Sequence, residues 1–223
     1  MNSVLITGAN RGIGLALAEH YHKRGWQVLG VCRCPVDDAP ELKKVAARVI
    51  DNVDLTHQAD VDRLVRALDG EPLGVLINNA GLLCHEQLGS IDFDLIREQM
   101  EVNTFAPLRL TEALLDNFRA GSKIANITSR MGSIADNSSG GNYGYRASKA
   151  ALNAFGKSLA VDLKPRGIAV AQIHPGFVRT RMVGFGGLIN PEEAATGIAQ
   201  RIDELNLETS GGFWHSNGEV LPW

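Results

Sequence analysis

The chain has 223 residues, 44% of them hydrophobic and 21% charged, with a formal net charge of -3 and a pI near 6.1. That balance suits a globular α/β protein with a large core. It lacks the basic footprint of a nucleic-acid binder, offers no attraction to an anionic membrane, and contains no apolar run as long as a membrane span.

The start, Met1-Asn2-Ser3-Val4, enters strand-like sequence without the regions of a signal peptide. Cys32, Cys34 and Cys84 make an odd count, with neither redox spacing nor a Cys/His set at metal-ligand spacing. Reduced thiols, no metal and a cytoplasmic setting are expected.

Val4-Leu5-Ile6-Thr7 is a short apolar run of the kind that forms a buried parallel strand. Gly8-Ala9-Asn10-Arg11-Gly12-Ile13-Gly14 follows, and Leu15 to Ala18 open a helix that should run to about Gly25. Strand, glycine loop and helix form the setting of a dinucleotide fingerprint. The glycines permit a tight turn and close backbone approach, and the helix N-terminus offers amides to a pyrophosphate. The spacing is G-x-x-x-G-x-G rather than G-x-G-x-x-G.

Residues 27–32 form a second strand, which leads into Cys32-Arg33-Cys34 where NAD-selective folds place a carboxylate. Arg33, with Arg11 from the glycine loop, is predicted to bind a 2′-phosphate and so to favour NADP over NAD. Residues 41–48 read as a short helix, and Val49-Ile50 with Val53 as a third strand. Asp54 either holds an adenine amine or caps a helix predicted over 56–68. Residues 73–77 are a fourth strand, closed by Asn78-Asn79-Ala80-Gly81, whose small residues let a flat ring pass close to backbone. Residues 92–104 read as helix. Asn103, a poor helix former, either faces solvent there or bends the helix for a purpose. A further helix begins near Pro107 and reaches Phe118.

Residues 123–128 form a fifth strand and deliver Ser129 to its carboxyl end, where parallel α/β sheets bind ligands. A polar loop, 137–142, leads to Tyr145-Arg146-Ala147-Ser148-Lys149. Tyr145 and Lys149 are one helical turn apart on one face. A cation there should lower the phenol's pKa from about 10, giving a proton donor for a carbonyl or a base for an alcohol. This helix stops at Pro165-Arg166-Gly167. Residues 168–173 are a sixth strand, followed by His174-Pro175-Gly176-Phe177-Val178-Arg179-Thr180. His174 is read as structural, because Tyr145 and Lys149 already supply the proton chemistry. Residues 182–190 read as a mobile flap beside an open site for an apolar substrate. Pro191 starts a helix to about Leu205, and a last strand and a docked tail finish the chain. No linker divides it, so residues 1–223 are read as one domain.

Thr7-Gly8…Gly12-Ile13-Gly14, Asn78-Asn79-Ala80-Gly81, Asn103, Ser129, Tyr145…Lys149 and Pro175-Gly176 with Thr180 stand in the order found in short-chain dehydrogenase/reductases. The chain resembles that family over nearly its whole length, and most of all its C-factor and Sniffer-type carbonyl reductases. The resemblance implies an α/β, single-domain Rossmann fold: a doubly wound, mostly parallel, seven-stranded sheet with helices on both faces. It implies an NADP(H)-dependent oxidoreductase acting on a small carbonyl or alcohol, assembled as a dimer or tetramer. By position, Tyr145 would protonate the carbonyl oxygen, and Lys149 would bind the nicotinamide ribose and lower the tyrosine pKa. Ser129 would orient the carbonyl, and Asn103 would hold a water in a proton relay. Gly8, Asn10, Arg11, Gly12, Ile13, Gly14, Arg33, Asp54, Leu55, Asn79, Ala80, Gly81, Tyr145, Lys149, Pro175, Gly176, Val178 and Thr180 would hold the cofactor.

One departure stands out. Sixteen positions separate Ser129 from Tyr145, three more than in many members. The Ser129 assignment therefore requires the 137–141 loop to bulge outward, and Ser133 is the second candidate. An alternative is a cofactor-binding signalling or regulatory protein of the same fold with little catalysis.

Overall fold

A computed structural model describes residues 2–223. Its strands are β1 (Ser3–Thr7), β2 (Gln27–Val31), β3 (Arg48–Ile50), β4 (Leu73–Asn78), β5 (Phe118–Ile127), β6 (Ala169–His174) and β7 (Phe213–His215). They form one seven-stranded sheet in the order β3-β2-β1-β4-β5-β6-β7. Every neighbouring pair is parallel, so the sheet expected to be mostly parallel is entirely so. The chain reverses its direction across the sheet between β1 and β4, which opens a crevice at their carboxyl ends.

Successive side chains of a strand face opposite ways, so a strand covered on both sides must be apolar throughout. Val4 and Ile6 pack in one layer with Leu17 and Tyr21 of α1 (Gly12–Lys23), Leu42 of α2 (Pro40–Val45) and Ile198 and Ile202 of α7 (Pro191–Glu204). Leu5 faces the other layer, with Leu64 and Leu68 of α3 (Gln58–Leu68), Leu110 of α5 (Ala106–Ala113) and Leu163 of α6 (Tyr143–Leu163). Among the described residues, no helix is long and apolar enough to cross a membrane.

Buried amides bridge the central strands beneath α6. Asn78 Nδ2 donates to Asn126 Oδ1 at 2.9 Å, and Asn126 Nδ2 donates to Gln172 Oε1 at 3.1 Å. Pairing makes their burial tolerable. The helix comes close through Gly156, where a Cβ would stand 2.9 Å from Asn126 Nδ2.

Three boundaries differ from expectation. The helix predicted over 41–48 ends at Val45, and Arg48 lies opposite Leu29 in β3, while Val53 falls outside that strand. The helix predicted to reach Phe118 ends at Ala113. A 3-10 turn, Leu115–Asn117, follows, and Phe118 opens β5 opposite Leu73. Sheet pairing outweighs helix propensity at both places. Residues 182–190 are tied back to their own stem rather than forming a free flap. Leu188 N donates to Phe177 O at 2.7 Å, Arg179 N to Ile189 O at 2.9 Å, and Arg179 Nε to Gly187 O at 2.9 Å.

Candidate active site

The crevice between β1 and β4 is built around Thr7. Its hydroxyl accepts from Asn79 N at 2.9 Å and from Ala80 N at 3.0 Å, tying the loop after β4 to the end of β1. Asn79 Nδ2 returns the contact, donating to Thr7 O at 2.9 Å. Asn79 therefore braces the glycine loop with its side chain. Gly8 and Gly12 adopt left-handed φ values of 65° and 55°, which glycine reaches without strain. At Gly14 a Cβ would collide with the Gly8 carbonyl, so only glycine lets α1 start this close to the loop. Thr180, after β6, comes to the same place, with its Cγ2 3.4 Å from where a Gly12 Cβ would be.

Across the crevice stand Ser129, Tyr145 and Lys149. Lys149 is buried, and its Nζ donates to Ile127 O at 2.9 Å and lies 5.8 Å from the centre of the Tyr145 ring. Gly132 lets the turn after Ser129 press onto α6, for a Cβ there would be 2.8 Å from the Lys149 carbonyl carbon. Burial pushes the Lys149 ammonium down to about 8. Burial likewise pushes the Tyr145 phenol up to about 12, and the neighbouring Ser129 hydroxyl partly opposes that rise. Only Ser129 opposes the rise, so the expected depression of the phenol by Lys149 is absent and desolvation sets the direction. Ser129 Oγ accepts from Met131 N at 3.1 Å and forms no well-aligned bond to the phenol here. Such bonds often tighten only when substrate is bound.

Ser133, the second candidate, is engaged elsewhere: its hydroxyl donates to Trp223 O at 3.0 Å and accepts from Asp136 N at 3.0 Å. The long connection from Ser129 to Tyr145 does bulge outward. Residues 137–140 are exposed, and Gly140, Gly141 and Asn142 are all left-handed, with φ values of 63°, 64° and 49°. Arg146 holds the bulge in place, donating from Nη2 to Ser139 Oγ at 2.8 Å and from Nε to Gly141 O at 3.2 Å.

Asn103 lies in a π turn, Glu101–Phe105, joining α4 (Phe93–Met100) to α5. Of the two alternatives the sequence left open, exposure to solvent is excluded by the burial of Asn103, and the π turn interrupts the helix there. The Asn103 side chain is buried and bonded at both ends. Nδ2 donates to Leu82 O at 2.8 Å and to Ser148 Oγ at 3.0 Å, while Oδ1 accepts from Leu82 N at 2.7 Å. Gly81 abuts both groups, for a Cβ there would stand 3.3 Å from Asn103 Oδ1 and 3.7 Å from Lys149 Nζ.

At the far end of the crevice, Arg11 and Arg33 are exposed and make no side-chain hydrogen bond or ion pair among the described residues. Asp54 Oδ1 accepts from Thr56 N at 3.0 Å and Thr56 Oγ1 at 2.7 Å, in a turn ahead of α3 rather than as its cap. Burial tends to raise the Asp54 carboxyl, but the Thr56 hydrogen bonds and the Arg33 charge outweigh it and leave the pKa below the usual carboxylate value. The other predicted positions are mainly structural in their side chains. Asn10 Nδ2 donates to Cys34 Sγ at 3.4 Å, and Ile13 and Leu55 pack into the core. Val178 is buried, Pro175 O accepts from Ser216 Oγ at 3.1 Å, and Gly176 is left-handed at φ 91°. His174 stands apart from this chemistry, edge-on to His215 at 4.9 Å, and burial pushes its pKa down to about 3.

A nicotinamide dinucleotide phosphate fits this arrangement. A glycine cradle at a helix N-terminus, two unpaired guanidinium groups and a buried lysine beside a tyrosine follow one another along a single crevice. The family model described as short chain dehydrogenase matches residues 2–186. The chain belongs to the short-chain dehydrogenase family. It is 40% identical over 229 aligned positions to the 1-hydroxy-2-glutathionyl-2-methyl-3-butene dehydrogenase of Rhodococcus sp. (strain AD45), covering 100% of both chains. It is 42% identical to the C-signal of Myxococcus xanthus over 157 positions, 68% of this chain and 93% of that one. Among solved structures, the carbonyl reductase Sniffer of D. melanogaster superposes with a TM-score of 0.91 at 32% identity, covering 100% of both chains. The NADPH-bound carbonyl reductase from chicken fatty liver superposes with a TM-score of 0.89 at 31% identity, covering 100% of this chain and 99% of that one.

Some members of this short-chain dehydrogenase site escape sequence reasoning. Thr7 is legible as part of the glycine motif, but not as the bridge between two loops. Glu86 and Gln99, which meet beneath α6, belong to no motif, and their pairing exists only in three dimensions.

Proposed function

We propose that this short-chain dehydrogenase is an NADP(H)-dependent carbonyl reductase with Tyr145 as its proton donor. The observation that carries the reading is the convergence of Ser129, Tyr145 and buried Lys149 beside the glycine crevice. The NADPH-bound state of a structural neighbour supports the cofactor assignment.

Arg11 and Arg33 would hold the 2′-phosphate through charge-assisted hydrogen bonds. The amides of the glycine loop and of the α1 N-terminus would receive the pyrophosphate. Asp54 would meet the adenine, and Gly81, Pro175, Val178 and Thr180 would flank the nicotinamide. When bound, the nicotinamide supplies the hydride. A phenol held near 12 is fully protonated at neutral pH, which suits Tyr145 to give its proton to a carbonyl oxygen. Lys149, one turn away, stabilises the phenolate left behind. Ser129 Oγ orients the carbonyl, and Asn103 fixes the Leu82 loop against the site.

The substrate side is apolar. Leu88, Ile134 and Leu188, on the three loops that follow β4, β5 and β6, are all at least 75% exposed. Three free thiols support a reducing, cytoplasmic setting. Half-exposed Phe105 and exposed Val161 support assembly of a dimer or tetramer through α6 and its neighbours.

The likeness to C-signal favours a second reading, a signalling protein that binds cofactor with little turnover. NADPH consumption across a panel of apolar ketones and aldehydes separates the two. Turnover supports the reductase, NADPH binding without turnover supports the signalling reading, and binding of neither NADPH nor NADH overturns both.

A further inference from the structure

Helix α6 carries Tyr145 in its first turn, yet its own N-cap residue does not cap it. Asn142 is left-handed and makes no side-chain cap hydrogen bond. The cap comes from the loop that follows Gly81. Glu86 is only 4% exposed, and its Oε2 accepts from Gly144 N at 3.3 Å, while its carbonyl accepts from Asn142 N at 3.1 Å. Glu86 Oε1 accepts from Gln99 Nε2, and Gln99, fully buried in α4, accepts from Cys84 N through Oε1 at 2.9 Å. His85 Nδ1 adds a contact to Asn142 Oδ1 at 2.9 Å. The junction is tight, for a Cβ on Gly144 would stand 2.7 Å from Glu86 Oε1 and 3.1 Å from Ile96 Cα.

A carboxylate is required here by donor counting. Gly144 N–H points at one end of residue 86, Gln99 points at the other, and Cys84 N–H points at the far end of residue 99. A carboxylate accepts at both oxygens, whereas an amide accepts at one end and donates at the other. With glutamate at 86 and glutamine at 99, every donor meets an acceptor. With glutamine at both positions, one donor faces another donor whichever way the two amides are flipped. With glutamate at both, two carboxylates oppose each other. Exchanging the two residues restores the donor–acceptor order from Gly144 to Cys84 and gives up only the Gln99 Nε2 bond to Leu95 O at 3.3 Å. Burial of the single charge is offset by its two donors, Gly144 N and Gln99 Nε2, and by the α6 N-terminus.

We propose that Glu86 is a positioning residue for proton transfer. Its carboxylate fixes the first turn of α6, and with it Tyr145, to the loop after Gly81 and to α4. This rests on the assignment of Tyr145 as proton donor.

The test compares Glu86→Gln, Gln99→Glu and the exchange Glu86→Gln/Gln99→Glu, with Tyr145→Phe alongside. NADPH-dependent reduction is followed with 4-nitrobenzaldehyde as the probe carbonyl, and amide hydrogen exchange is followed at residues 143–146. In each single variant kcat should fall about tenfold, because small displacements of a reacting group are costly, while KM for NADPH stays within about twofold. Exchange at Gly144 should quicken in both. The double variant should recover kcat to within about threefold and restore the slow exchange, as coupled neighbours do. A merely structural role would lower thermal stability without this loss and recovery in kcat. Glu86→Gln with unchanged kcat and unchanged Gly144 exchange overturns the proposal, provided Tyr145→Phe is inactive. A folded double variant that stays as slow as the singles overturns it too. Turnover retained in Tyr145→Phe instead overturns the tyrosine assignment, which is a separable outcome.

Discussion

The side chain of Asn103 and the peptide of Leu82 close on each other from both sides, with Nδ2 donating to Leu82 O at 2.8 Å and Oδ1 accepting from Leu82 N at 2.7 Å. This pair of hydrogen bonds joins a π turn to the loop after Gly81, and because the Asn103 side chain is fully buried, breaking either one leaves an unpaired polar group. Asn103→Asp removes the donor and sets a carboxylate oxygen against Leu82 O. The expected outcome is a stability loss of roughly 1–3 kcal/mol in urea unfolding. A fall in kcat/KM for the carbonyl should accompany it, with NADPH affinity largely kept.

Lys149 carries a stability cost that its replacement should reveal. Its folded pKa of about 8 lies below the ordinary 10.5, so the folded state holds the proton less tightly than the unfolded chain. The penalty is fully present below pH 8 and is relieved as pH rises from 8 toward 10.5. Lys149→Met should therefore stabilise the cofactor-free protein at pH 7 by on the order of 2 kcal/mol, after allowing for the lost Ile127 contact, while abolishing turnover. Urea unfolding at pH 7 and an activity assay read the two effects together.

Arg33 is expected to discriminate between cofactors rather than to bind both. Arg33→Ala should weaken NADPH about tenfold or more, the loss of one charge-assisted contact, and leave NADH within about twofold. Fluorescence titration of the two cofactors measures the ratio. Equal weakening of both would contradict a 2′-phosphate contact.

His174 gives the protein an acid-sensitive core. Burial, with the charges of His215 and Arg130, holds its pKa near 3 against an ordinary 6.5. Below pH 6.5 the unfolded chain takes up a proton that the folded state refuses, so stability is lost as pH falls from 6.5 toward 3. The loss amounts to at most roughly 4 kcal/mol over that window. Thermal unfolding between pH 7.5 and pH 4.5 should show a distinctly flatter slope in His174→Asn, whereas parallel slopes would assign the acid sensitivity elsewhere.

The sheet was legible because its strands are covered on both faces, so Val4 to Ile6 and Leu73 to Ile77 are apolar at every position. Gly8, Gly12 and Gly14 were legible because backbone geometry leaves no substitute, as the blocked Cβ at Gly14 shows. Asn103 stood out as a poor helix former, but the sequence left open whether it faced solvent or bent the helix, and it did not show the partner that uses its side chain. Arg48 and Phe118 were misread because local propensity cannot see the partner strands that claim them. The Tyr145 pKa was misjudged for a similar reason. Spacing revealed a cation one turn away, but the desolvation that raises the phenol is a property of packing. Glu86, Gln99 and Gly144 lie far apart along the chain, so no local pattern marks their junction.

The most direct test of the account is Tyr145→Phe, assayed for NADPH binding and for carbonyl reduction in the same preparation. Removing one hydroxyl leaves the ring packing and the Lys149 contact to Ile127 in place. The account predicts NADPH affinity within about twofold of wild type and a turnover loss of at least about a hundredfold, the scale of a missing general acid. Turnover close to wild type, with binding intact, would contradict the assignment of Tyr145 as the proton donor.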